Sequence, residues 1–75
     1  MITLTPVQRK ALEGLWFLYG NNGPQHTWGN HKFIQGILER GEDDREFFKK
    51  PARVVPGWKG VTPECETAVD LILKS

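Results

Sequence analysis

Leu4-Thr5-Pro6-Val7-Gln8-Arg9-Lys10-Ala11-Leu12-Glu13-Gly14-Leu15-Trp16-Phe17-Leu18-Tyr19 is the stretch whose periodicity decides the fold. Thr5 is suited to N-cap a helix, because its hydroxyl can accept from an amide of the first turn that has no carbonyl partner. Pro6 fits the first helical position, where its missing N–H costs nothing. Gln8 completes a Thr-x-x-Gln capping box. At about 100° per residue, Val7, Ala11, Leu12, Leu15, Trp16, Leu18 and Tyr19 share about half the circumference. Arg9, Lys10 and Glu13 fall on the other side. The pattern predicts an amphipathic helix with a wide buried face, closed by Gly20. Phe17 breaks the pattern by projecting onto the Lys10/Glu13 side. Either the C-terminal segment folds over it, the commoner fate of a large aromatic, or it is an exposed anchor for a partner.

Working outward, Asn21-Asn22-Gly23-Pro24 is a turn cluster. A second helix is predicted from Asn30 to Arg40, capped by Thr27 or Asn30 and ended by Gly41. Phe33, Ile34, Ile37 and Leu38 make one buried stripe. His31, Lys32, Gln35 and Glu39 lie opposite, on a face that is either simply solvated or able to reach base edges in a DNA groove. Asp43 or Asp44 caps a short helical turn that runs to Lys50 and is ended by Pro51. Phe47 and Phe48 are adjacent, so one enters the core and the other stays at its margin. Arg53-Val54-Val55 and Trp58-Lys59-Gly60-Val61, around a Pro56-Gly57 turn, read as a small β ribbon. Thr62 and Pro63 then start a last helix, with Cys65, Ala68, Val69, Leu71, Ile72 and Leu73 on one broad apolar face. The expected core is Leu12, Leu15, Phe33, Ile37, Val69 and Ile72.

Seventy-five residues with a net charge of +1 and one cysteine set outer bounds. They predict one small globular domain spanning residues 1–75, with no internal disulfide and no cysteine-based zinc site. No global field draws the chain to nucleic acid or membrane. No apolar run approaches membrane-spanning length, and no signal region opens the chain, so the expectation is a cytoplasmic protein without a membrane partner. His26 and His31 lack the cysteine or carboxylate companions of a metal site. Cys65 lies on an apolar face, as a small core hydrophobe does. No glycine loop could cradle a phosphate. The expectation is therefore no enzyme, no cofactor, no metal and no small-molecule substrate.

Charge is distributed unevenly. Glu39 to Glu46 holds five acids against two bases, whereas the charged residues between Phe47 and Pro63 are Lys49, Lys50, Arg53 and Lys59, all basic. Bases alternating with Trp58 on a ribbon can grip a phosphate backbone and stack against bases. Alternatively, they belong to a mixed-charge surface in which the acidic half offsets the basic half.

The opening Leu4-Thr5-Pro6-Val7-Gln8, the helix end Ile37-Leu38-Glu39-Arg40-Gly41 and the helix start Val61-Thr62-Pro63-Glu64 resemble the winged-helix superfamily, over most of the chain. The resemblance implies a mainly α, compact winged-helix domain with a small β ribbon as its wing. It implies a recognition helix at residues 30–40, with Lys32 and Gln35 toward a DNA groove. Lys49, Lys50, Arg53, Trp58 and Lys59 would face the backbone. Two features depart from the family pattern: residues 20–29 are short for the helix that normally precedes a recognition helix, and Glu42 to Asp44 are acidic where a phosphate would approach. The function this implies is a non-enzymatic, DNA-binding regulatory module; the alternative class is a protein-interaction module, of the kind found in small phage accessory or inhibitor proteins. It would use Phe17, Trp58 and the acidic turn Glu42, Asp43 and Asp44. In either class a shared fold does not by itself fix function.

Overall fold

The computed structural model describes residues 1–21, 28–50 and 60–75. Its elements are α1 (Pro6–Trp16), continued by one π-helical turn (Phe17–Asn21), then α2 (Trp28–Arg40), the short α3 (Arg45–Lys49) and α4 (Pro63–Lys74). The radius of gyration is 11.7 Å, close to the roughly 11 Å of a single globule of this length. The fold is mainly helical, and no strand occurs among the described residues. Most of the expected β ribbon, residues 53–59, lies outside them. Its described end, Gly60 and Val61, is not in a strand.

The start of α1 is local chemistry. The Gln8 N–H donates to Thr5 Oγ1 at 3.1 Å, and the Thr5 N–H donates to Gln8 Oε1 at 2.9 Å, so two amides satisfy each other's cap. Gln8 does more than this. Its Nε2 donates to the carbonyls of Ile72 and Ser75, tying the start of α1 to the end of α4. These bonds make α1 and α4 antiparallel neighbours. The other end of α1 departs from expectation. The helix does not stop at Gly20: the Phe17 N–H is shared between the carbonyls of Glu13 and Gly14, and the chain widens into a π turn that passes over Gly20.

α2 begins at Trp28 and ends as expected, with Gly41 at φ +69°. A Cβ at Gly41 would lie 2.8 Å from the Ile2 carbonyl oxygen, because the N-terminal segment crosses here and the Ile2 N–H donates to the Gly41 carbonyl. Thr27 lies outside the described residues. Asn30 does not cap α2: it sits inside the helix, fully buried. Its Oδ1 accepts the Thr62 N–H at 2.8 Å and its Nδ2 donates to Thr62 Oγ1. Thr62 Oγ1 in turn accepts from the Cys65 N–H. A residue read as one helix's cap thus orders the cap of another. Close by, a Cβ on Gly29 would meet the Gly60 backbone at 2.8 Å, so backbone packs on backbone at this crossing.

Leu12, Phe33, Ile34, Ile37, Cys65 and Val69 form the fully buried core, with Leu15 and Ile72 partly buried against it. Phe48 packs at the margin and Phe47 is exposed, as adjacent positions on a helix require. Four apolar residues differ from expectation. Val7 and Ala11 on α1, Leu18 in the π turn and Leu71 on α4 are exposed. The reason is geometric: α2 and α4 cover the Gln8, Leu12, Leu15 and Trp16 side of α1, and the apolar arc is wider than two neighbours can cover.

Candidate interaction site

Two regions hold the residues that sequence points to. In the first, α3 is a hub of ion pairs. Asp44 stands at its N-cap position without a side-chain cap bond, and Asp43 Oδ1 accepts the Arg45 N–H instead. The Arg45 guanidinium reaches Asp43 Oδ2 at 2.7 Å, Asp70 Oδ1 at 2.8 Å and Glu66 Oε2 at 3.5 Å, and lies 5.0 Å from the centre of the Phe33 ring. Burial works against its charge, but the hydrogen bonds it donates to Asp43 and Asp70 outweigh burial and raise its pKa. Lys49 Nζ lies 2.8 Å from Glu66 and 3.2 Å from Glu46. These pairs hold the Lys49 pKa up, and the Lys49 ammonium holds the Glu66 carboxyl below its ordinary range. At the end of α2, Arg40 pairs with Asp44 at 2.6 Å and with Glu42 at 3.3 Å.

Of the expected nucleic-acid residues, Lys32, Gln35, Lys49 and Lys50 lie among the described residues. Lys49 is engaged by two acids. Gln35 Nε2 donates to Glu39 Oε1 at 3.2 Å. Lys32 is half-buried, while Lys50 is exposed and makes no ion pair among the described residues. Arg53, Trp58 and Lys59 lie outside the described residues. Of the expected protein-binding residues, Glu42, Asp43 and Asp44 are each paired with Arg40 or Arg45. Trp58 is again outside the described residues. Phe17 is not covered by the C-terminal segment: it is 52% exposed. Arg40 and Arg45 were missed as organisers of the acidic turn. Their signal was present as two bases set among five acids.

The second region is the outer side of the α1–α4 pair. Gln8 binds the end of α4, and Tyr19 lies near Cys65 and Glu64 at its start, so the two helices run antiparallel along their length. On α1, Val7, Ala11, Gly14 and Leu18 lie just beyond the Gln8/Leu15 edge that meets α4. On α4, Leu71 lies beyond the Ala68/Ile72 edge on the same outer side. Val7 is 78%, Leu18 59% and Leu71 67% exposed. A Cβ built on Gly14 has nothing within 4 Å. The periodicity of α1 and α4 predicts these apolar residues buried; they are exposed because α2 and α4 cover only part of the α1 arc.

Other features are accounted for within the fold. Cys65 is fully buried, and burial pushes its thiol up to about 12. His31 packs against Trp16 with ring centroids 5.0 Å apart and the planes tilted by 43°, and burial, with Lys32 nearby, lowers its pKa. A shallow cleft of about 390 Å³ between the N-terminal segment and the end of α2 contains Arg9 and Arg40. Arg9 donates to the Leu38 carbonyl, and Arg40 holds its two acids. Among the described residues no group of three His, Cys, Asp or Glu side chains could hold a metal ion, and no helix is long and apolar enough to cross a membrane. No protein-family model, curated protein or solved structure matches the chain.

Proposed function

We propose that this chain is a non-enzymatic protein-interaction module that works through the outer face of the α1–α4 pair. The observation that carries this reading is the exposure of Val7, Leu18 and Leu71 on one side of two packed helices, with Phe17 exposed beside Leu18. Apolar side chains grouped on a small domain and rimmed by polar ones are what a protein partner covers. The module is read as cytoplasmic. The acidic turn is a structural clasp in this reading, because its carboxylates already have arginine partners.

The winged-helix, DNA-binding reading has less behind it. It needs cations available to phosphate, and Lys49 is engaged by Glu46 and Glu66. It keeps Lys50, which is exposed.

Capture from lysate with and without nuclease, using wild type and Leu18→Glu, tests the two readings. Capture that survives nuclease and is lost in Leu18→Glu supports the interaction module. Capture that disappears with nuclease and is indifferent to Leu18→Glu supports DNA binding and removes the module.

A further inference from the structure

We infer that the partner covering this face is a second copy of the chain, with α1 packing antiparallel on its counterpart and crossing it between Ala11 and Gly14. The inference rests on the interaction-module reading and names its partner.

Size is the first argument. Val7, Ala11, Gly14 and Leu18 are spaced four, three and four apart, the rhythm of a helix–helix seam. The small residues are in the middle and the large ones at the ends. A two-fold axis between Ala11 and Gly14 sets Val7 against Leu18 of the second copy, and Ala11 against Gly14 of the second copy. The pattern is then self-complementary, which a two-fold interface requires.

Gly14 is the second argument. It lies mid-helix, where glycine is costly relative to alanine. Among the described residues nothing lies within 4 Å of where its Cβ would be, and its φ is not positive. No side chain among the described residues packs against it, although its carbonyl shares the Phe17 N–H where α1 widens into the π turn. A second helix approaching closely at this point accounts for a glycine here.

Charge is the third. Because α4 runs antiparallel to α1, Glu64 stands at the Leu18 end of the face and Lys74 at the Val7 end. The axis that pairs Val7 with Leu18 brings Glu64 of one copy toward Lys74 of the other, at both ends of the interface. Both side chains are exposed, and neither makes an ion pair among the described residues. A parallel arrangement would set Glu64 against Glu64 and Lys74 against Lys74.

The test is sedimentation velocity from about 10 µM to 1 mM, the range in which small interfaces associate, with two variants and a register assay. Wild type is expected to shift from monomer to dimer over this range. Leu18→Glu should stay monomeric with an unchanged circular dichroism spectrum. Gly14→Leu, whose new side chain has open space in the monomer, should weaken the dimer at least about tenfold while remaining folded. For register, Val7→Cys and Leu18→Cys are mixed with oxidised glutathione, and Cys65 stays out of the exchange because it is buried. The expected product is the mixed disulfide between Val7→Cys and Leu18→Cys chains in preference to either self-pair. Preferential Val7→Cys self-pairing would mean a parallel seam and would overturn the inference. So would a wild type that stays monomeric throughout. If that monomer still captures another protein in a Leu18-dependent, nuclease-resistant way, the module survives with a different partner. If it captures nothing, both readings fall.

Discussion

On one flank of α4, Glu66 and Asp70 are held by Arg45 and Lys49 from α3; on the other, where α4 packs on α1, Leu71 is exposed, as are Val7 and Leu18 of α1. The ion-paired flank has the charge pattern that stands out in the sequence, yet its charges are matched within the chain. The apolar flank has the residue types of ordinary core and is left uncovered. A charged group that has found its counter-ion is a structural element with little left to offer a ligand. Apolar surface without a neighbour is the part of the molecule that another surface can still stabilise. The contrast separates what holds the fold from what is available to a partner, and it can be tested from either side.

The largest effect belongs to Arg45. Arg45→Met keeps an apolar stem against Phe33 but leaves Asp43 and Asp70 without their cation. The expected loss is about 1–3 kcal/mol in urea denaturation, less than the roughly 3–5 kcal/mol of a fully buried pair, because Asp70 is 45% exposed. A loss within a few tenths would mean that the ion-pair flank is decoration and that α4 is held by its apolar contacts alone.

The opposite flank should respond with the opposite sign. Gly14→Ala fills open space on α1 and removes a mid-helix glycine, so the monomer should gain about 0.5–1 kcal/mol at low concentration. Destabilisation would mean that something packs against Gly14 in the isolated chain. Leu18→Glu should change monomer stability by less than about 0.5 kcal/mol, as exposed substitutions do. A larger loss would place Leu18 in the core and remove the contrast between the two flanks.

The difference between the flanks also accounts for what was legible in the sequence. The Thr5–Gln8 capping box, the Gly41 stop, the Phe33, Ile34 and Ile37 stripe and the inward Cys65 rest on neighbours three or four residues away or on a single residue's conformational preference. These could be read directly. Arg45 binds acids 21 and 25 residues along the chain, and Asn30 orders a cap 32 residues away. No local pattern announces such partners. The failure at Val7, Ala11, Leu18 and Leu71 is of another kind. Periodicity gave the apolar arc correctly, but how much of an arc is buried depends on how many elements surround it, which no single helix encodes. Arg53, Trp58 and Lys59, on which the DNA reading leaned most, lie outside the described residues.

The smallest effect is a pH dependence confined to the ion-pair flank. Lys49, bonded to Glu66 and reinforced by Arg45, holds the Glu66 carboxyl below its ordinary range in the folded chain. In the unfolded chain Glu66 returns to about 4.3. With the folded value the lower of the two, the native state binds the proton less readily than the unfolded state. The stabilisation is therefore fully present above the unfolded value, and it is lost as pH falls through the folded one. Urea midpoints measured from pH 6 down to pH 3 should decline for wild type and decline less steeply for Glu66→Gln. Because Lys49 is 40% exposed on its side chain, added salt should shrink the difference between the two curves. Leu18→Glu adds an exposed carboxylate at the Glu64 end of the face, away from Lys74, so below neutrality its curve should run parallel to wild type. If Glu66→Gln and wild type keep the same slope while Leu18→Glu departs from both, the charge sensitivity of the molecule lies on the α1–α4 face, and the assignment of the two flanks is reversed.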